Sequence, residues 1–145
     1  MSAPALLDAL RFARSGGSLE GELRVDELPR LRDNLTSDDV AVQYYIAGGS
    51  EAGRPVLRLR IDARLWLTCQ RCLERFPERF ELSNVLSVAR DEAELERWES
   101  EDPLVDALVA EAPLDVASLV EDEIILSLPV SPRHEDGRCG AGFQA

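Results

Sequence analysis

Residues 56–68, Val-Leu-Arg-Leu-Arg-Ile-Asp-Ala-Arg-Leu-Trp-Leu-Thr, alternate apolar and polar side chains almost without interruption. A period of two marks a strand with one face buried and the other wet. Leu57, Leu59, Ile61, Ala63, Leu65 and Leu67 share one face; Arg58, Arg60, Asp62, Arg64 and Trp66 share the other. A long strand with one polar face belongs in an antiparallel sheet, because parallel strands are covered on both faces and read as continuous apolar runs.

The flanking sequence builds on that strand. Residues 40–47 are strand-like and 48–53, Gly-Gly-Ser-Glu-Ala-Gly, read as a turn, so the two strands form a hairpin. Cys69-Gln70-Arg71-Cys72 follows in a tight turn, and residues 76–88 return as a strand, which puts Cys-x-x-Cys at the tip of a second hairpin. Residues 18–25 alternate as a further strand. Helical spacing runs through 4–14, with Leu6, Leu7, Leu10 and Ala13 on one side, and through 115–128. In the second helix Asp115 is the N-cap, Val116, Leu119, Val120, Ile124 and Leu128 form the buried stripe, and Pro129 stops it. Residues 26–35 read as a short helix or turn, and 104–109 as a short strand. The acidic segment 90–103 reads as a short helix or a loop pinned by Leu95 and Trp98; 135–145 form a loose tail. The sum is an α+β fold in one domain, 1–145: a strongly twisted antiparallel sheet, partly barrel-like, packed by an N-terminal helix and the 115–128 helix.

Charge narrows the choice of partners. Residues 1–80 carry 12 Arg against 12 acids, whereas 81–145 carry 4 Arg against 16, so the whole net charge of −12 sits in the second part, and the chain has no Lys. An acidic half is repelled by phosphate and drawn to basic proteins. No apolar run is long enough for a membrane span, and the first residues lack the pattern of a secretory signal, so the expected compartment is the cytoplasm. Three cysteines make no disulfide framework.

Four soft donors stand out: Cys69, Cys72, His134 and Cys139. Three thiols and one imidazole suit tetrahedral zinc, and a close cysteine pair in a turn is its usual building block. Against this stand the 61 residues between Cys72 and His134; the competing reading is reduced turn cysteines with a surface histidine. A dithiol redox centre at Cys69 and Cys72 is a third option, although such chemistry favours a helix N-terminus after a parallel strand. No nucleophile elbow, phosphate loop, dinucleotide loop or zinc-protease motif occurs, and Ser131 with His134 makes no triad, so an enzyme is not expected. Arg58, Arg60, Arg64, Arg71, Arg75 and Arg79 beside Trp66 make a candidate RNA backbone patch. The alternative is cross-strand ion pairing with Asp62, Glu74, Glu78 and Glu81. Glu121-Asp122-Glu123 reads as the solvated face of a helix, with Glu123 near enough to the apolar stripe to be held by an Arg of the sheet.

Two stretches carry a resemblance. Residues 67–76, with Cys-Gln-Arg-Cys after the alternating strand, and residues 119–139, with Val-Glu-Asp-Glu-Ile-Ile-Leu-x-Leu-Pro-Val-x-Pro-x-His and a trailing Cys, closely resemble the bacterial YceD family of large ribosomal RNA subunit accumulation proteins. The second motif includes Glu121, Asp122, Glu123, Pro129 and Pro132. The resemblance implies a cytoplasmic, non-enzymatic role in synthesis, processing or stability of 23S ribosomal RNA. The partner would be 23S rRNA or its precursor, or a basic large-subunit ribosomal protein. It carries over no catalytic residue and no metal. It also implies a basic tail beyond the last cysteine, which these 145 residues do not include.

Overall fold

The computed structural model describes residues 6–33, 35 and 39–128. In chain order the elements are β1 (Leu6–Leu7), α1 (Ala9–Ser15), β2 (Ser18–Leu23), a 3-10 turn (Val25–Glu27), α2 (Pro29–Arg32), β3 (Ala41–Glu51), β4 (Arg54–Thr68), β5 (Arg75–Ala89), α3 (Glu92–Glu101), β6 (Ala107–Val109), β7 (Leu114–Asp115) and α4 (Val116–Ser127).

The alternating strand is central in fact. β4 lies in the middle of a five-stranded sheet of order β2-β3-β4-β5-β6. Its odd-numbered residues, Leu57 to Leu67, are buried, while Arg58, Arg60 and Arg64 are exposed. α1 packs against β3 and β4, and α4 against β5. Ala9 and Ala13 of α1 and Val116, Val120 and Ile124 of α4 join the β3 and β4 side chains in one core.

Both expected hairpins form. The first turn is shorter than the glycine pattern suggests: pairing continues to Glu51↔Arg54, and only Ala52 and Gly53 turn, at φ 52° and 78°. Two successive left-handed residues are the tight turn that matches the twist of a strand pair. Gly48, read in sequence as part of that turn, serves a different purpose. A Cβ there would run into the Phe12 carbonyl oxygen, so the missing side chain lets α1 lie directly on β3.

Three expectations need correction. The sheet is not closed into a barrel: among the described residues β2 and β6 sit at opposite edges, each with a single neighbour. Nor is it wholly antiparallel, because β6 pairs in parallel with β5 (Ser87↔Ala107 to Ala89↔Val109). The acidic segment folds as α3 and carries the chain back across the sheet, as a parallel connection requires. Trp98 anchors that helix, buried beneath the guanidinium of Arg54 at 4.7 Å. Finally, α1 starts at Ala9 rather than residue 4. Asp8 caps it by accepting from the Arg11 N–H, and Leu6 and Leu7 are extended, paired with Asp115 and Leu114 of β7.

One contact holds the helices to each other. α2 has four residues and no side-chain cap of its own. Its Arg30 and Leu31 N–H groups donate to Glu121 Oε2 of α4, at 2.7 and 3.0 Å, and Arg30 Nε donates to Glu121 Oε1 at 2.8 Å. Glu121 is 3% exposed. The Arg30 guanidinium also reaches Asp122 at 2.6 Å and the Ser118 hydroxyl at 3.1 Å. These bonds hold Leu28 and Leu31, both fully buried, in the core. Glu121 was expected to be solvated with its neighbours; it is buried because the orphan donors of a short helix need an acceptor.

Glu121→Ala leaves two sequestered N–H groups without their acceptor and is expected to cost about 3 kcal/mol, from ~1–3 kcal/mol per orphaned donor. Glu121→Gln, which keeps an oxygen, should cost less. Urea unfolding checks this through the transition midpoint, with an unchanged slope if only stability is affected.

Candidate functional site

The face of the sheet opposite the helices carries the sequence-predicted basic residues. Cross-strand register sets Tyr45 of β3, Arg60 of β4 and Ser83 of β5 side by side, and puts Asp62 between Gln43 and Glu81. The arginines do not form a uniform basic patch. Arg79 donates to both Asp62 carboxylate oxygens, at 3.1 and 2.7 Å, and also pairs with Glu81 at 2.9 Å. Hydrogen bonding from Arg79 holds the Asp62 carboxyl below its ordinary range; desolvation opposes this and the Arg79 charge adds to it. Arg64 lies 3.8 Å from Asp39, which also accepts from the Trp66 indole N–H at 3.2 Å. Arg58 approaches Glu51 only to 3.9 Å. Of the partners expected to neutralise the patch, Asp62 and Glu81 do so.

That leaves two regions on this face. Toward β2 lies a groove of about 770 Å³, lined by Glu20, Glu22, Asp62 and Glu81 together with Arg60. It is more acidic than basic, so it does not suit phosphate. At the other end, β3 stops beside Arg64 while β5 follows β4 to Thr68↔Arg75, so residues 65–68 and 75–78 project as a two-stranded arm. On this arm Arg75 stacks over Trp66 at 5.8 Å, and Arg71 is exposed in the turn.

The arm ends in the cysteine turn. Cys69 N–H donates to Glu74 O at 2.9 Å, Leu73 N–H donates to Cys69 O at 2.7 Å, and Leu73 takes the left-handed conformation at φ 64°. Cys69 and Cys72 are buried, 0% and 4% exposed, in a second apolar cluster with Leu67 and Phe76. Leu35, Phe80 and Leu128 pack against it. Among the described residues no three of His, Cys, Asp and Glu converge as a metal would need. His134 and Cys139, with Pro129 and Pro132, lie outside the described residues.

The three acids of the 120–134 motif have three different environments. Glu121 caps α2 and Asp122 binds Arg30. Glu123 shares the Asn84 amide with Asp106: Asn84 Nδ2 lies 2.7 Å from Asp106 Oδ2 and 3.4 Å from each Glu123 oxygen. The expected arginine partner for Glu123 is therefore an asparagine of β5. Burial raises the Glu123 pKa above its ordinary value, the Asn84 bond opposes this, and Asp106 and Asp122 add to the rise. The Arg30–Glu121 pair went unforeseen. The available signal was spacing: Glu121 precedes Ile124 by three residues and so shares its stripe.

A raised carboxyl pKa means that the charged form is disfavoured on folding. Glu123 thus weakens the fold above its folded pKa, and the cost fades as pH falls through that value toward the ordinary one. Glu123→Gln is expected to raise the melting temperature near neutral pH, with the advantage shrinking on acidification. Melting curves across pH test this; an advantage that grows toward acid would contradict it.

The family model that matches, over residues 57–143, is described as large ribosomal RNA subunit accumulation protein YceD. A Haemophilus influenzae protein with that description is 25% identical over 150 residues, covering 97% of this chain and 81% of the relative. No solved structure matches. No helix among the described residues is long and apolar enough to cross a membrane. The matched region takes in most of β4, the cysteine turn, β5, α3 and α4, and with them the arm and Glu121, and the chain belongs to the YceD family of large ribosomal RNA subunit accumulation proteins.

Proposed function

We propose that this protein promotes the accumulation of large-subunit ribosomal RNA in the cytoplasm as a non-enzymatic factor, by docking a basic ribosomal protein. The observation that carries this reading is the placement of charge. The net −12 falls in residues 81–145, and α3 exposes Glu92, Glu96 and Glu99. Their spacing of four and three residues puts them on one helix face, away from buried Trp98. Leu104, 91% exposed, follows just after that helix. A carboxylate stripe beside an exposed apolar side chain suits a basic, partly apolar protein surface. The neutralised arginines and the acidic groove on the sheet face weigh in the same direction.

A second reading, direct contact with RNA, is favoured by the arm. Arg71 and Arg75 are exposed there next to Trp66, and Arg71 has no ion-pair partner among the described residues. Cations beside an aromatic ring suit phosphate contact and base stacking.

Crosslinking in cells, with identification of attached RNA and protein, separates the two. The expected result is recovery of a large-subunit ribosomal protein. Reversing Glu92, Glu96 and Glu99 to Arg should weaken its binding by about tenfold at low salt, with less effect as salt rises. Arg71→Glu with Arg75→Glu should leave it unchanged. Recovery of rRNA alone, lost in the arginine variant and kept in the α3 variant, would establish the second reading instead. Recovery of neither would sink both.

A further inference from the structure

We propose that the free edge of β2 receives an extended protein segment in which Lys or Arg alternates with apolar residues, added antiparallel as a further strand of the sheet. This edge lies across the sheet from α3, which packs against β5 and β6. The proposal therefore stands whether or not the α3 stripe docks a ribosomal protein.

The backbone of β2 is open on one side. Among the described residues its only strand neighbour is β3. The Gly48 N–H donates to the Gly17 carbonyl oxygen at 2.8 Å, one position beyond the Ser18↔Ala47 end of the β2–β3 ladder. Bonded and non-bonded pairs alternate along an antiparallel ladder. Leu19, Gly21 and Leu23 therefore exchange bonds with β3, and the N–H and C=O groups of Ser18, Glu20 and Glu22 point away from it. The six residues of β2 keep an unbroken register with β3 and contain no proline. Neither a bulge nor a proline thus blocks pairing at this edge, the usual protections for an open strand. The opposite edge, β6, has three residues and lies beside α3.

The side chains say what kind of strand fits. Ser18, Glu20 and Glu22, whose backbone groups face outward, also carry their side chains on the exposed sheet face. Leu19 and Leu23 are on the other face, packed against the core yet only partly buried. An added strand places one residue directly opposite each of these. Basic residues suit the positions opposite Glu20 and Glu22, and apolar ones those opposite Leu19 and Leu23, where they would extend the core. Glu20 has no ion-pair partner among the described residues, and Glu22 accepts only from the Gln43 amide at 3.1 Å. The groove on this face is lined by both glutamates and by Tyr45, so long basic side chains from the edge have room to lie in it.

The same charges argue against a second copy of this chain. Antiparallel pairing of two β2 strands about Glu20, Gly21 or Glu22 sets glutamate opposite glutamate in each register, and like charges so placed repel.

The test uses the full chain and a synthetic peptide of about eight residues, blocked at both ends, in which Lys alternates with Val; that length spans β2. Amide hydrogen exchange at Glu20 and Glu22 should slow when the peptide binds, and should change little at Leu19 and Gly21, which already bond to β3. Methylating the backbone nitrogen of each Lys removes the donors that face β2 and should weaken binding about tenfold or more; methylating the Val nitrogens, which face away, should leave it within about twofold. Glu20→Lys with Glu22→Lys should weaken binding by about tenfold at low salt. Reversing Glu92, Glu96 and Glu99 to Arg should leave the exchange pattern as it is, which separates this edge from the α3 reading. Equal loss with both methylated peptides, or none with either, would overturn the proposal, as would no binding or binding without slower exchange at Glu20 and Glu22. A wild-type dimer that dissociates in Glu20→Pro, which removes an outward N–H and no bond to β3, would assign the edge to a second copy and overturn it as well.

Discussion

The buried carboxylate of Glu121 is the contact on which the arrangement of the helical layer depends. A four-residue helix cannot stand alone, because nucleating a helix fixes several residues for a single hydrogen bond. α2 exists because Glu121, 90 residues further on, accepts its first N–H groups. In return α2 supplies Leu28 and Leu31 to the core, and Arg30 clamps Ser118, Glu121 and Asp122 along one side of α4. With α4 so placed, Asp115 can pair with Leu6, Glu123 meets Asn84, and Leu128 lands on the cysteine cluster. The acid run of the family motif is thus three structural contacts in succession.

The second constraint is the pleat of β4 and β5. One face is committed to the core and the other is left to solvent, and the arm beyond Arg64 has lost its β3 neighbour. The arm keeps its shape through its own small core of Leu67, Cys69, Cys72 and Phe76. Leu35, Phe80 and Leu128 pack against that cluster and join it to the rest of the molecule.

Charge divides the molecule along different lines from the fold. The sheet face has arginines, but Asp39, Asp62 and Glu81 engage several of them. α3 exposes acids with few basic neighbours, since Arg97 turns to Glu94 and Arg54 to Trp98 and Glu101. Long-range attraction therefore favours basic surfaces, and contact with phosphate is confined to the arm.

The sequence by itself determined what local period and turn chemistry can encode. The alternation of 56–68 specified a half-buried strand, Cys-x-x-Cys marked a hairpin tip, and Asp115 marked the start of α4, which it caps by accepting from the Ser118 N–H. Each depends on neighbours a few residues apart. The motif at 119–139 also pointed to the family. Only the tertiary structure decided the rest, because the causes lie far apart in the chain. Whether Glu121 is solvated depends on α2, 90 residues earlier; whether Leu6 is helical depends on Leu114 and Asp115. Whether the sheet closes depends on its two edges, and β6 runs parallel because α3 crosses over. The arginines are alike in the sequence; cross-strand register decided which of them a carboxylate neutralises.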